Sequence, residues 1–205
     1  MGRAPLVSAA RYGRTLPVSC DRIWENVLDW EHLPWLHRDA FASVELIEES
    51  GEGWRAAVRG RPETGSAGFE IEVRLDRPGL RYLSRTLSGA GAGSEIWTDL
   101  EPLGEHQTRI RVEFLVPGPL AGESLRSLGR AHVRLYARLW DEDEQMMVRR
   151  ARLLGAARER RAGESRRDLG NAARLRRALP LEVALSLIHI SEPTRPERRG
   201  GGGGG

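Results

Sequence analysis

The chain of 205 residues has one cysteine and no lysine. A lone Cys20 excludes an internal disulfide and any metal site built on paired cysteines. With no lysine, every basic side chain apart from histidine is arginine. Together with the abundance of alanine and glycine, this reflects GC-rich coding rather than an arginine-specific function. No apolar run approaches the length of a membrane span. Met1 to Tyr12 lacks the uninterrupted apolar core of a secretory signal, so a cytoplasmic location is expected. Gly-x-Ser-x-Gly, P-loop and paired-carboxylate signatures are absent. Gly89-Ala-Gly-Ala-Gly93 lies between strand-like runs with no helix after it, which makes it a hairpin turn and not a dinucleotide loop.

Charge is split along the chain. Residues 1–148 carry 18 arginines against 23 acidic residues, a net of −5, while residues 149–205 carry 14 against 6, a net of +8. The basic character therefore belongs to the C-terminal part, and it argues poorly for nucleic-acid binding by the body of the protein. Segment 149–177 has 11 arginines against 3 acids but neither aromatic stacking residues nor a binding motif, so a solvated linker is expected over a contact with nucleic acid or an anionic surface. Ala156 to Arg177 reads as an exposed helix or linker, and residues 155–184 as an Arg-rich linker with the start of a truncated following segment. Beyond it, Leu185-Ser-Leu-Ile-His-Ile-Ser-Glu-Pro-Thr-Arg195 resembles a translated sequencing adapter, and Gly200 to Gly205 resembles translated poly-G. Residues 185–205 are therefore expected to be an artefactual tail that leaves the natural sequence truncated near Ala184, with His189 carrying no chemistry.

What is present is patterned. Thr15 to Ser19 reads as a short strand, with Ser19 or Asp21 capping a helix that brings Ile23, Trp24, Val27 and Leu28 to one face. A second short helix from about Glu31 is stopped or bent at Pro34. Six strand-like runs follow, at about 40–49, 54–59, 69–76, 80–87, 95–101 and 108–114, separated by glycine- and proline-containing turns. Phe69, Ile71, Val73 and Leu75 alternate with Glu70, Glu72, Arg74 and Asp76, the pattern of a strand with one dry face. The run 80–87 is ambiguous, because Tyr82 and Leu83 compete for the inner side. From about Leu120 to Leu154 a long helix carries Leu125, Leu128, His132, Leu135, Tyr136, Leu139, Met146 and Met147 as a stripe, with the acidic run Asp141 to Glu144 assigned to the other face. These elements predict an α+β fold, a curved antiparallel sheet of about seven strands wrapped around a long C-terminal helix.

Val18-Ser-Cys-Asp-Arg-Ile-Trp24, Leu33-Pro-Trp-Leu-His37, Gly93-Ser-Glu-Ile-Trp-Thr-Asp99 and the long final helix resemble the START-like or SRPBCC superfamily, in its polyketide cyclase/dehydrase-like branch. The resemblance covers about residues 13–154, leaves 1–12 as an N-terminal arm and implies a helix-grip domain. It also implies binding of a small hydrophobic molecule, lipid-, polyketide- or aromatic-like, between sheet and helix, with a cyclase or dehydratase as the alternative. A narrower resemblance links Leu179-Pro-Leu-Glu-Val183 to the opening strand of a Rieske-type iron–sulfur domain, which would make this an accessory domain of an oxidoreductase. The Cys-x-His and Cys-x-x-His ligand pairs of such a cluster are absent, and no cofactor is expected in this chain.

The expected cavity wall consists of Trp35, His37, Trp54, Ala56, Val58, Phe69, Ile71, Tyr82, Trp97, His132 and Tyr136. His132, Tyr136 and Arg81 are the candidates for acid–base or carbonyl-polarising work, Arg81 only if its side of the strand faces inward. His32 and His37 stand five residues apart, as a proton-transfer pair or as loop decoration. That spacing does not suit one helix face and no third ligand is in view, so they are poor metal candidates.

Overall fold

A computed structural model describes residues 5–61, 68–118 and 121–178. The chain forms two compact units, Met1–Leu153 and Leu154–Gly205. In the first, β1 (Leu6–Leu16) leads into α1 (Cys20–Leu28), a 3-10 turn (Trp30–His32) and α2 (Leu33–Leu36). Then come β2 (Phe41–Ser50), β3 (Gly53–Gly60), β4 (Phe69–Asp76), β5 (Arg81–Gly89), β6 (Glu95–Gly104) and β7 (Gln107–Pro117). The helix α3 begins at Gly122 and ends at Ala178, and its last part is what is described of the second unit. The strand expected at Leu179–Val183 and the adapter-like tail lie outside the described residues.

All seven strands are antiparallel, in the order β1-β7-β6-β5-β4-β3-β2. Each strand from β2 to β7 pairs with the next in sequence, which makes a meander, and β1 closes onto β7 from the far end of the sequence. This corrects the reading of residues 6–12 as part of an arm. The first strand starts at Leu6, and Leu6–Leu16 pairs with Pro117–Thr108 across a register shift between Ser8 and Ala10. That shift breaks the period-two alternation, so β1 has no local strand signature. Ser19, extended at φ −70° and ψ 160°, accepts a hydrogen bond from the Arg22 N–H and starts α1. Pro34 lies in the first turn of α2, where its missing N–H leaves no intrahelical bond unmade.

The core fills the inner face of the sheet. Leu16, Ile23, Ile110, Val112 and Phe114 are fully buried there, together with Trp140 and Met147 of α3. Arg14 on β1 reaches Asp141 and Glu144 of α3, at 2.6 Å each. Further along the same two elements, α3 comes so close to β1 that a Cβ on Gly129 would stand 2.2 Å from the Ala9 carbonyl oxygen. Helix propensity alone favours alanine over glycine by about 1 kcal/mol. Here backbone contact reverses the sign, and Gly129→Ala should destabilise the domain by about 1–3 kcal/mol in urea unfolding. A more stable variant would mean that α3 and β1 are further apart.

Candidate functional site

Between the inner sheet face and α3 lies a cavity of about 850 Å³, within the range of roughly 300–1,000 Å³ usual for small-molecule sites. Trp54 and Val58 of β3, Phe69, Ile71 and Val73 of β4, and Tyr82, Ser84 and Thr86 of β5 form the sheet wall. Ile96 of β6 and Val116 of β7 extend it. Opposite stand Leu128, His132, Leu135, Tyr136, Leu139, Trp140 and Asp143 of α3, with Asn26, Val27, Asp29, His32, Leu33, His37 and Phe41 closing the rest. Trp54 ties two of these walls together, its indole Nε1–H donating to the Val27 carbonyl at 2.8 Å.

One part of this wall is polar and dry. His37, which ends α2, is 2 % exposed, and Asp143 of α3 is 8 % exposed. His37 Nε2 stands 3.1 Å from Asp143 Oδ1, and its Nδ1 stands 2.6 Å from Glu142 Oε2. Carboxylates on both ring nitrogens favour the doubly protonated imidazolium. Burial opposes charge on His37, but the hydrogen bonds and charges of Asp143 and Glu142 outweigh it and raise the imidazole above its ordinary value. Burial likewise works to raise Asp143, and the bonds and charges of His32 and His37 reverse it, leaving the carboxyl below the usual range. The His32 ring lies 5.3 Å from that of His37, edge to face, with its Nε2 3.3 Å from Asp143 Oδ1. Neither ring nitrogen of His32 has a hydrogen-bond partner with proper alignment, and the Oδ1 of buried Asn26, on the same wall, has none either.

No family model and no curated protein sequence matches this chain. Solved structures do. The Zhui aromatase/cyclase from Streptomyces sp. R1128 superposes with a TM-score of 0.60 at 15% identity, covering 72% of this chain and 96% of its own. Norcoclaurine synthase from Thalictrum flavum gives 0.55 at 18%, with coverages of 73% and 94%. A START superfamily protein from Mycobacterium smegmatis gives 0.51 at 17%, with 69% and 98%. The fold is START-like. At these identities the likeness extends to the helix-grip architecture alone.

Within this START-like frame, eight of the eleven expected wall residues line the cavity: His37, Trp54, Val58, Phe69, Ile71, Tyr82, His132 and Tyr136. Three do not. Trp35 is 82% exposed, on the outer side of α2. Ala56 points inward opposite Ile71 but is completely covered by the core. Trp97 stands on the outer sheet face, because it pairs with Leu83 while Ile96 takes the inner position. The same register decides β5: Tyr82 pairs with Leu75 and Thr98, which sends Arg81 outward. There Arg81 binds Asp76 at 3.1 Å and stacks 5.0 Å over the Trp97 ring, so it is not a cavity residue.

His132 and Tyr136 both flank Phe114, with ring centroids 5.3 and 4.9 Å from it. The His132 Nδ1–H donates to the Leu128 carbonyl at 3.0 Å, which points the other nitrogen away from the helix backbone. Burial raises the Tyr136 phenol against its hydrogen bond with Ser84, so it stays protonated and serves as a hydrogen-bonding group, not a base.

Asp143 is the residue that the acidic run concealed. It follows Trp140 by three and precedes Met147 by four, so it belongs to the buried stripe of α3. The five-residue spacing of His32 and His37 also misleads. A 3-10 turn followed by a single α-turn, not one continuous helix, carries both rings to the same side.

Proposed function

We propose that this domain binds a small apolar molecule, flat or aromatic in character, in the cavity between sheet and α3. The observation that carries the reading is the space of about 850 Å³, walled by Trp54, Val58, Phe69, Ile71, Leu135 and Leu139. Apolar contact would supply the affinity, and the few polar groups in the wall would set orientation. The similar norcoclaurine synthase structure holds dopamine and hydroxybenzaldehyde, both small aromatic molecules, which supports that ligand class. A second reading, cyclisation or dehydration of such a molecule, is favoured by His132 and the protonated Tyr136 standing one helical turn apart on the wall.

Titration with an apolar fluorescent probe tests the binding reading. Ile71→Trp places an indole in the cavity and should weaken probe binding at least tenfold while the protein still unfolds cooperatively. Arg81→Ala, on the outer face, should leave the curve unchanged. Equal affinity in wild type and Ile71→Trp would remove the cavity as the binding site. For the enzymatic reading, turnover of an aromatic polyketide substrate that survives His132→Ala combined with Tyr136→Phe would exclude these two residues from the chemistry.

A further inference from the structure

His32, His37 and Asp143 each present one ligand atom, and these atoms all lie within 4.8 Å of one another. Two nitrogens and a carboxylate oxygen bound to one ion at about 2.0–2.2 Å would stand roughly 3.0–3.5 Å apart. The observed separations from Asp143 Oδ1 are 3.1 Å to His37 Nε2 and 3.3 Å to His32 Nε2. The spacing thus suits a shared ion without rebuilding the backbone.

Two further observations point to a ligand and not merely to an ion pair. The His32 side chain is 9% exposed, yet neither ring nitrogen has a well-aligned hydrogen-bond partner, its Nε2 standing 3.3 Å from Asp143 Oδ1. A buried imidazole left in that state is unfavourable unless something completes it. His37 also has its far nitrogen, Nδ1, held by Glu142 at 2.6 Å. A carboxylate behind a ligating imidazole is how proteins commonly fix the tautomer and orientation of a metal ligand.

We propose that His32, His37 and Asp143 bind a single divalent first-row transition ion on the cavity wall, with Glu142 positioning His37. Two imidazoles and one carboxylate occupy three positions and leave the others facing the cavity, the donor set that suits ferrous iron. The expectation of no metal rested on helix spacing and on a missing third ligand, and Asp143 supplies that ligand across 106 residues of sequence. The ion's coordination does not depend on what fills the cavity. Failure to bind metal would leave the probe titration of Ile71→Trp standing, and failure of probe binding would leave the metal site standing.

The test uses the full chain, stripped with EDTA and titrated with Co²⁺ at neutral pH, then with Fe²⁺ under anaerobic conditions. One equivalent of Co²⁺ should bind and develop visible ligand-field bands. His32→Ala removes a side chain that makes no well-aligned hydrogen bond, so the fold should persist while Co²⁺ affinity falls at least 100-fold. Asp143→Asn should do the same. Glu142→Gln, one step removed from the ion, should weaken binding about 10–100-fold. X-ray absorption on the Co²⁺-loaded wild type should count two imidazoles, a reading that stands even if a variant unfolds. Saturable binding with fewer than two imidazoles, equal affinity in His32→Ala, or no uptake by the stripped wild type would each overturn the site.

Discussion

Phe114→Ala should lower the unfolding free energy by about 3–5 kcal/mol, the usual loss when a large buried aromatic is truncated. Phe114 is 1% exposed and lies mid-strand in β7, paired with Ala10 of β1 on one side and Ile96 of β6 on the other. Its ring meets Tyr136 edge to face at 4.9 Å and 89°, and His132 at 5.3 Å. The substitution therefore removes contacts across three strands and α3 together. At roughly 2–4 °C per kcal/mol for a domain of this size, the melting temperature should fall by about 10 °C. Urea unfolding with an unchanged slope would assign the loss to stability and not to a changed unfolded state. A loss below about 1 kcal/mol would mean that α3 is not held onto β7 at this point.

The meander and the long helix are legible in the sequence because their periods are local. Phe69 to Asp76 alternates without error, and Leu128, His132, Tyr136 and Leu139 recur at helical steps. What escapes is whatever depends on a distant partner. β1 is a strand because β7 is beside it, and its register shift at Ser8 and Ala10 erases the alternation that would have announced it. In the run Leu80 to Leu87, apolar residues occupy both parities, so only the pairing of Tyr82 with Leu75 and Thr98 tells inside from outside. The candidate site was half legible for the same reason. Aromatic and aliphatic wall positions follow from alternation. Asp143 sits in a run of four acids whose other members bind Arg14 or His37, and helical phase alone distinguishes it. That phase could have been read from Trp140 and Met147, three before and four after.

Asp143→Asn in the EDTA-stripped protein should cost about 3 kcal/mol near pH 5.5, the low end of the range for breaking a buried ion pair. The low end applies because Glu142 still faces His37 Nδ1 after the substitution. The pH dependence follows from the two shifts. His37 is raised above 6.5, so its contribution is complete below that value and disappears as pH rises through the folded pKa. Asp143 is lowered from 3.8, so its contribution is complete above that value and disappears as pH falls through the folded pKa. The difference between wild type and Asp143→Asn is therefore largest between about pH 4 and 6.5 and narrows as pH rises through the folded pKa of His37. The tyrosines facing the carboxylate do not blur this window. Burial raises the phenols of Tyr82 and Tyr136 above their ordinary value, so neither titrates there. Urea unfolding of both proteins at pH 5.5 and 8.5 reads the difference directly. A gap that stays constant, or widens toward the alkaline side, would mean that His37 and Asp143 are not a charged pair in the folded protein and that the imidazole stays neutral throughout.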